Sequence, residues 1–112
     1  MDPLLERGIA LFTRGEYFEC HEVLEEAWAP DRGPRRLFLQ SLIHMAVGIY
    51  HNERGNPPGA LRQLRKGLRK LAAYLPACER VDTARLEREV RLVLGEIEGG
   101  VLLSSYPRIH VD

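Results

Sequence analysis

An all-α fold is expected from this sequence on three grounds. Apolar residues recur every three or four positions along almost the whole chain, the spacing that lines one face of a helix. No segment carries the strict apolar/polar alternation or the β-branched enrichment of a strand. Glycine and proline gather between the periodic runs, at Gly15, Gly33-Pro34, Gly55-Asn56-Pro57-Pro58-Gly59, Pro76 and Gly99-Gly100, where they interrupt helical geometry. At 112 residues the chain is long enough for a single core and one domain. The expected architecture is a bundle of about five helices, two αα-hairpins with a central buried helix and then a C-terminal helix.

The first helix starts at Pro3, a residue suited to the first turn, with Asp2 as its cap, and runs through Leu4, Leu5, Ile9 and Phe12 to a stop near Gly15. The second covers Glu16 to Ala29 and ends before Pro30. The third, from Arg35 to about Arg54, is apolar on more than one face and should be the central, most buried helix. The fourth carries Leu61, Leu64, Leu68, Leu71 and Leu75 along one packing stripe and is expected to close at Pro76. The last spans Thr83 to Glu98, and the tail from Val101 to Asp112 is expected to be irregular or loosely docked. Shifted by forty positions, Gly8, Gly15 and Leu24 fall on Gly48, Gly55 and Leu64, so each half reads as helix, glycine turn, helix.

Composition narrows the function. Sixteen basic and sixteen acidic residues give a formal net charge of +0, which argues against wholesale capture of nucleic acid or an anionic membrane. Cys20 and Cys78 are far apart, with neither a disulfide framework nor zinc-finger spacing. No stretch approaches the roughly 18 apolar residues of a membrane span, and the first residues lack the pattern of an export signal. The expectation is a cytoplasmic protein with reduced thiols. No phosphate loop, nucleophile elbow or complete catalytic signature is evident.

The densest chemistry lies in Glu19-Cys20-His21-Glu22-Val23-Leu24-Glu25-Glu26-Ala27-Trp28. His21 and Glu25, four apart, share a helix face. On the third helix Gln40, His44 and His51 also share one, and the short connection should bring the two helices together antiparallel. Glu19, His21, Glu22, Glu25, Trp28, Gln40, His44 and His51 would then form a polar seam. No cofactor is evident, yet His21, Glu25 and His51 form a nitrogen and oxygen set suited to a divalent metal. Neither the paired Glu-x-x-His of di-iron bundles nor the H-E-x-x-H of zincins is present. The same residues also read as a structural clasp that pins interhelical register. Cys20 reads as a core cysteine and Trp28 as a packing anchor. Arg62, Arg65, Lys66, Arg69 and Lys70 form a basic back to the fourth helix, with no interleaved aromatics for base stacking.

Two blocks carry a resemblance to a known family: Gly15-x-Tyr17-Phe18-Glu19-Cys20-His21-Glu22-x-x-Glu25-x-x-Trp28, and Phe38-Leu39-Gln40-Ser41-Leu42-Ile43-His44 through His51 and Gly55-Asn56-Pro57-x-Gly59-Ala60. In these the chain resembles DUF309, a family of small all-helical proteins of unknown function. The family-like core covers about 4–76, and the C-terminal helix and tail, 82–112, lie outside it. The resemblance marks Glu19, His21, Glu22, Glu25, Trp28, Gln40 and His51 as characteristic without assigning roles. Cys20 and Ser41 stand where Ala and Gly are expected, and His44 where Gln is more usual.

Three readings follow. The first is a non-catalytic interaction module or homo-oligomer, whose partner the sequence does not name. The second is a small metal-dependent hydrolase using the seam. The third is weak nucleic-acid binding by Arg62, Arg65, Lys66 and Arg69, which the balanced charge disfavours.

Overall fold

A computed structural model describes residues Met1–Asp112. Five helices form, α1 Pro3–Thr13, α2 Tyr17–Trp28, α3 Arg36–Glu53, α4 Pro57–Leu71 and α5 Thr83–Glu98. Their ends have chemical causes. The Asp2 carboxylate accepts from the backbone N–H of Leu4 at 2.8 Å, Asn56 accepts from Gly59 at 3.1 Å and Asp82 from Arg85 at 2.9 Å, which satisfies donors the helix itself leaves free. Gly15, Gly55 and Gly100 each adopt a positive φ just past a helix end. At each, the next residue's N–H reaches back to a carbonyl of the last turn, Glu16 to Leu11, Asn56 to His51 and Val101 to Glu96, the Schellman closure that glycine permits.

The forty-residue echo has a packing basis. A methyl group on Gly8 would lie 2.5 Å from Leu24 Cδ2, and one on Gly48 would lie 2.9 Å from Leu64 Cδ2. Each hairpin therefore seats a leucine of its second helix on a bare stretch of its first. Gly67 repeats the device at the far end of α4, where a Cβ would come within 3.0 Å of the Ser41 carbonyl oxygen. These approaches press α4 closely onto α3. The central position of α3 follows: it packs against α2 on one side and α4 on the other, while α5 covers α4. Phe38, Leu39, Leu42, Met45, Ala46 and Ile49 are fully buried in one continuous core.

Two expectations need correction. Helix α4 ends at Leu71, not Pro76, and a single 3₁₀ turn, Ala72–Tyr74, follows it. A short antiparallel pair comes next, β1 Ala77–Cys78 with β2 Val81–Asp82. Its turn residues Glu79 and Arg80 both have positive φ although neither is glycine, so the usual Asn-Gly signal was absent from the sequence. Partners outside the turn hold them there: Glu79 contacts Arg35 at 3.3 Å, and the Arg80 guanidinium donates to the Asp112 carbonyl. The tail is irregular, as expected, but not loose. Val111 bridges to Val81, Asp82 N–H donates to His110 O at 2.8 Å, and Ile109 is buried in the core.

Arg35 ties three segments together, contacting Asp2 at 2.6 Å, Asp31 at 2.8 Å and Glu79 at 3.3 Å. Its guanidinium holds the Asp2 and Asp31 carboxyls below the usual carboxylate range. No helix is long and apolar enough to cross a membrane.

Candidate functional site

The packing of α2 and α4 on either side of α3 leaves a cleft of about 220 Å³, lined by Glu25 and Trp28 of α2, Gln40 and His44 of α3, and Gln63 of α4. Four of the eight expected seam residues thus share one wall. A directed hydrogen-bond chain runs along it. Lys70 Nζ lies 2.8 Å from His44 Nε2, and His44 Nδ1 lies 2.8 Å from Gln63 Oε1. An ammonium can only donate, so Nε2 is the acceptor, Nδ1 carries the proton, and the imidazole is neutral. Burial, and then the neighbouring charges of Lys70, Lys66 and Arg69, lower the His44 pKa against the opposing Gln63 hydrogen bond. Lys70 is also shifted down, by burial and by the nearby Lys66 and Arg69.

Trp28 is held within the cleft lining by the α2–α3 connection. The Arg36 guanidinium lies 4.1 Å above its ring and donates to the Trp28 and Asp31 carbonyls at 2.7 and 2.6 Å. The indole N–H is buried without a hydrogen-bond partner. The α2–α3 connection is thereby locked against the indole by a cation–π contact and two charge-assisted bonds.

The other half of the expected seam is arranged differently. His21 Nδ1 bonds to the Phe18 carbonyl of its own helix, and its ring meets Phe18 edge-on at 4.9 Å. Phe18 in turn packs on Tyr50 at 5.4 Å, which gives an aromatic cluster between α2 and α3. His51 is half-buried on the last turn of α3, and its side chain makes no hydrogen bond. Glu19 and Glu22 turn outward with Glu26 into a shallow depression beside Arg7, and Glu25 borders both this depression and the cleft. No group of three or more His, Cys, Asp or Glu side chains is close enough to hold a metal ion. His21, Glu25 and His51 accordingly do not gather as a ligand set. Cys20 is fully buried, donates to the Gly8 carbonyl at 3.2 Å, and has its pKa pushed up to about 12 by burial, so it is an inert thiol.

Arg62, Arg65, Lys66 and Arg69 are exposed along the back of α4. Lys70 departs from them to meet His44. Gln63 and the role of Lys70 in the cleft were not evident from the sequence; their spacing of seven places them two turns apart on the flank between the leucine stripe and the basic back. Arg65, Arg69 and Arg91 rim a groove of about 550 Å³ between α4 and α5, whose floor holds Leu68, Ala72 and Leu94.

Five helices, with α3 held between α2 and α4 and a polar cleft where the three meet, define a small helical-bundle protein. The chain belongs to the family described as Domain of unknown function (DUF309), whose model matches residues 5–63, just over half of the chain. That match spans α1 to the middle of α4 and includes every expected seam residue. The chain is also similar to an uncharacterized protein, YpuF, of Bacillus subtilis (strain 168), with 38% identity over 97 residues, 84% of this chain and 54% of the relative. It spans about half the length of that curated relative.

Proposed function

We propose that this chain is a non-catalytic interaction module that assembles with further copies of itself, the acidic ridge of α2 seating in the arginine-rimmed groove between α4 and α5. The observation that carries this reading is unneutralised charge on two separate faces. Glu19, Glu22, Glu25 and Glu26 take part in no ion pair within the chain, and neither do Arg69 on the groove rim or Arg62 and Lys66 beside it. Arg65 and Arg91 on the same rim pair with Glu98 at 2.7 Å and Glu87 at 3.5 Å and would exchange those surface partners for the ridge. The formal net charge is +0, so copies could join without accumulating repulsion. The surfaces also match in apolar content. Phe18, 43% exposed, stands beside the ridge, and the groove floor is apolar. Such an interface joins two different faces, so repetition closes a ring or extends a filament.

Sedimentation velocity across protein concentration and ionic strength tests this. Assembly should be strong at low salt and fade as the screening length falls from about 30 Å at 0.01 M to about 3 Å at 1 M. A Glu22→Lys/Glu26→Lys variant and an Arg65→Glu/Arg69→Glu variant should each be monomeric, and mixing them should restore a complex because the reversed faces match. A chain that is monomeric throughout, or assembles regardless of both reversals, overturns the proposal. A monomer whose basic face binds an RNA oligomer with steep salt dependence does so too, and moves the assignment to nucleic acid.

A further inference from the structure

A further cavity, of about 480 Å³, lies where the tail crosses the α1–α2 turn and the end of α3. We propose that it binds a small zwitterion, a free amino acid being the simplest, with the ligand carboxylate on Arg108 and the ligand ammonium on Glu53.

Three features support this. Tyr17 lines the cavity and is only 2% exposed, yet its hydroxyl has no hydrogen-bond partner. Buried polar side chains are nearly always partnered, so this hydroxyl is an orphan donor at the cavity wall, which a bound ligand would satisfy once the wall gives slightly. Glu53 and Arg108 line the same cavity, but neither side chain has an ion-pair or hydrogen-bond partner. Both residues are exposed, and opposite charges that share a cavity without reaching each other match a ligand carrying both signs, which can meet each with a charge-assisted bond. Burial also raises the Glu53 pKa, as expected for a carboxylate that lacks a cation.

The remaining wall suits an ammonium ligand. Tyr106 stacks on Tyr17 with ring centroids 6.2 Å apart and planes 19° apart, which offers π-density of the kind cations favour. Arg14 is already occupied by Glu16 at 2.7 Å, so Arg108 is the free guanidinium. Its position is fixed from the backbone, where Arg108 N–H donates to the Glu89 carboxylate at 2.8 Å. The volume lies within the roughly 300–1,000 Å³ of small-molecule sites.

The test is titration of the ¹⁵N-labelled chain with each standard L-amino acid in turn, followed by the N-acetyl and methyl-ester derivatives of the tightest. At least one amino acid should saturably shift the amides of residues 13–17 and of Ser105, Tyr106 and Arg108, and each derivative, lacking one charge, should bind about tenfold more weakly or worse. Arg108→Gln should reproduce the loss seen with the ester, Glu53→Gln that seen with the acetyl compound. Tyr17→Phe, which removes only the hydroxyl, should weaken binding with the fold intact. Absence of shifts in these segments at about 10 mM ligand, or derivatives that bind as tightly as the parent, overturns the proposal without recourse to any variant.

Discussion

His44 shows how one side chain takes its chemistry from its surroundings. It sits between Lys70, which donates to it, and Gln63, which accepts from it, and Lys66 and Arg69 add positive charge nearby. Protonation would place an imidazolium against an ammonium. The folded chain therefore binds that proton less readily than the unfolded chain, whose imidazole titrates near 6.5. The unfolded state takes up more protons as pH falls below that value, so stability present above it drains away on acidification. His44→Gln keeps hydrogen-bonding capacity without a titrating ring. Its melting temperature should change less between pH 7.5 and pH 5.5 than that of the unaltered chain, with the pH range chosen to bracket about 6.5. An identical pH dependence in both would remove His44 as the cause. Cys20 teaches the converse, since burial and a bond to the Gly8 carbonyl make it a core atom despite its place beside His21.

Each hairpin is closed by a glycine of positive φ and packed through a glycine facing a leucine. The two uses fail differently when the glycine is replaced. At Gly55 nothing lies within 4 Å of an added methyl, so Gly55→Ala costs only the left-handed backbone strain, on the order of 1 kcal/mol. At Gly48 the methyl would strike Leu64 at 2.9 Å and the Ala60 carbonyl at 3.2 Å, so α4 must move away from α3. Gly48→Ala should cost about 1–3 kcal/mol, the range for overpacked cores. Urea denaturation of the two variants checks the order, and a Gly48→Ala chain as stable as the parent would show that Leu64 turns aside without strain. The polar cleft depends on the same spacing, because His44 lies one turn before Gly48 and its Cβ stands 3.3 Å from the methyl that Gly67 lacks.

Over the whole molecule, the tail completes what the helices begin. Ile109 enters the core, Val111 extends the small sheet, and Tyr106 and Arg108 wall the cavity beside Tyr17. Ile109→Ala should lower stability by about 2–4 kcal/mol, the cost of a buried Ile truncation. In hydrogen exchange the amides of Asp82 and Asp112, bonded to His110 and Arg80 carbonyls, should lose protection in that variant. Unchanged protection would mean that the tail docks without its apolar anchor. The charge pattern also belongs to this scale: the acidic ridge on α2 and the groove between α4 and α5 lie on different sides of α3.

The five helices, the Asp2 cap, the glycine turns, the central place of α3 and the forty-residue echo were legible in the order of residues, because these depend on apolar spacing and on glycine and proline geometry within a few positions, while the end of α4 at Leu71 was not. Residues of α2 and α3 marked the family in the same way. Which of the polar residues meet was settled by the packing of the helices on one another. Helical spacing says that His21 and Glu25 share a face, but side-chain direction and the approach of a third helix put Glu25 with Trp28, Gln40, His44 and Gln63, and left His21 with Phe18 and Tyr50. The small sheet and docked tail were illegible for the same reason: Glu79 and Arg80 hold an unfavourable backbone through Arg35 and Asp112, partners more than thirty residues away in sequence, and no local pattern records a contact of that range.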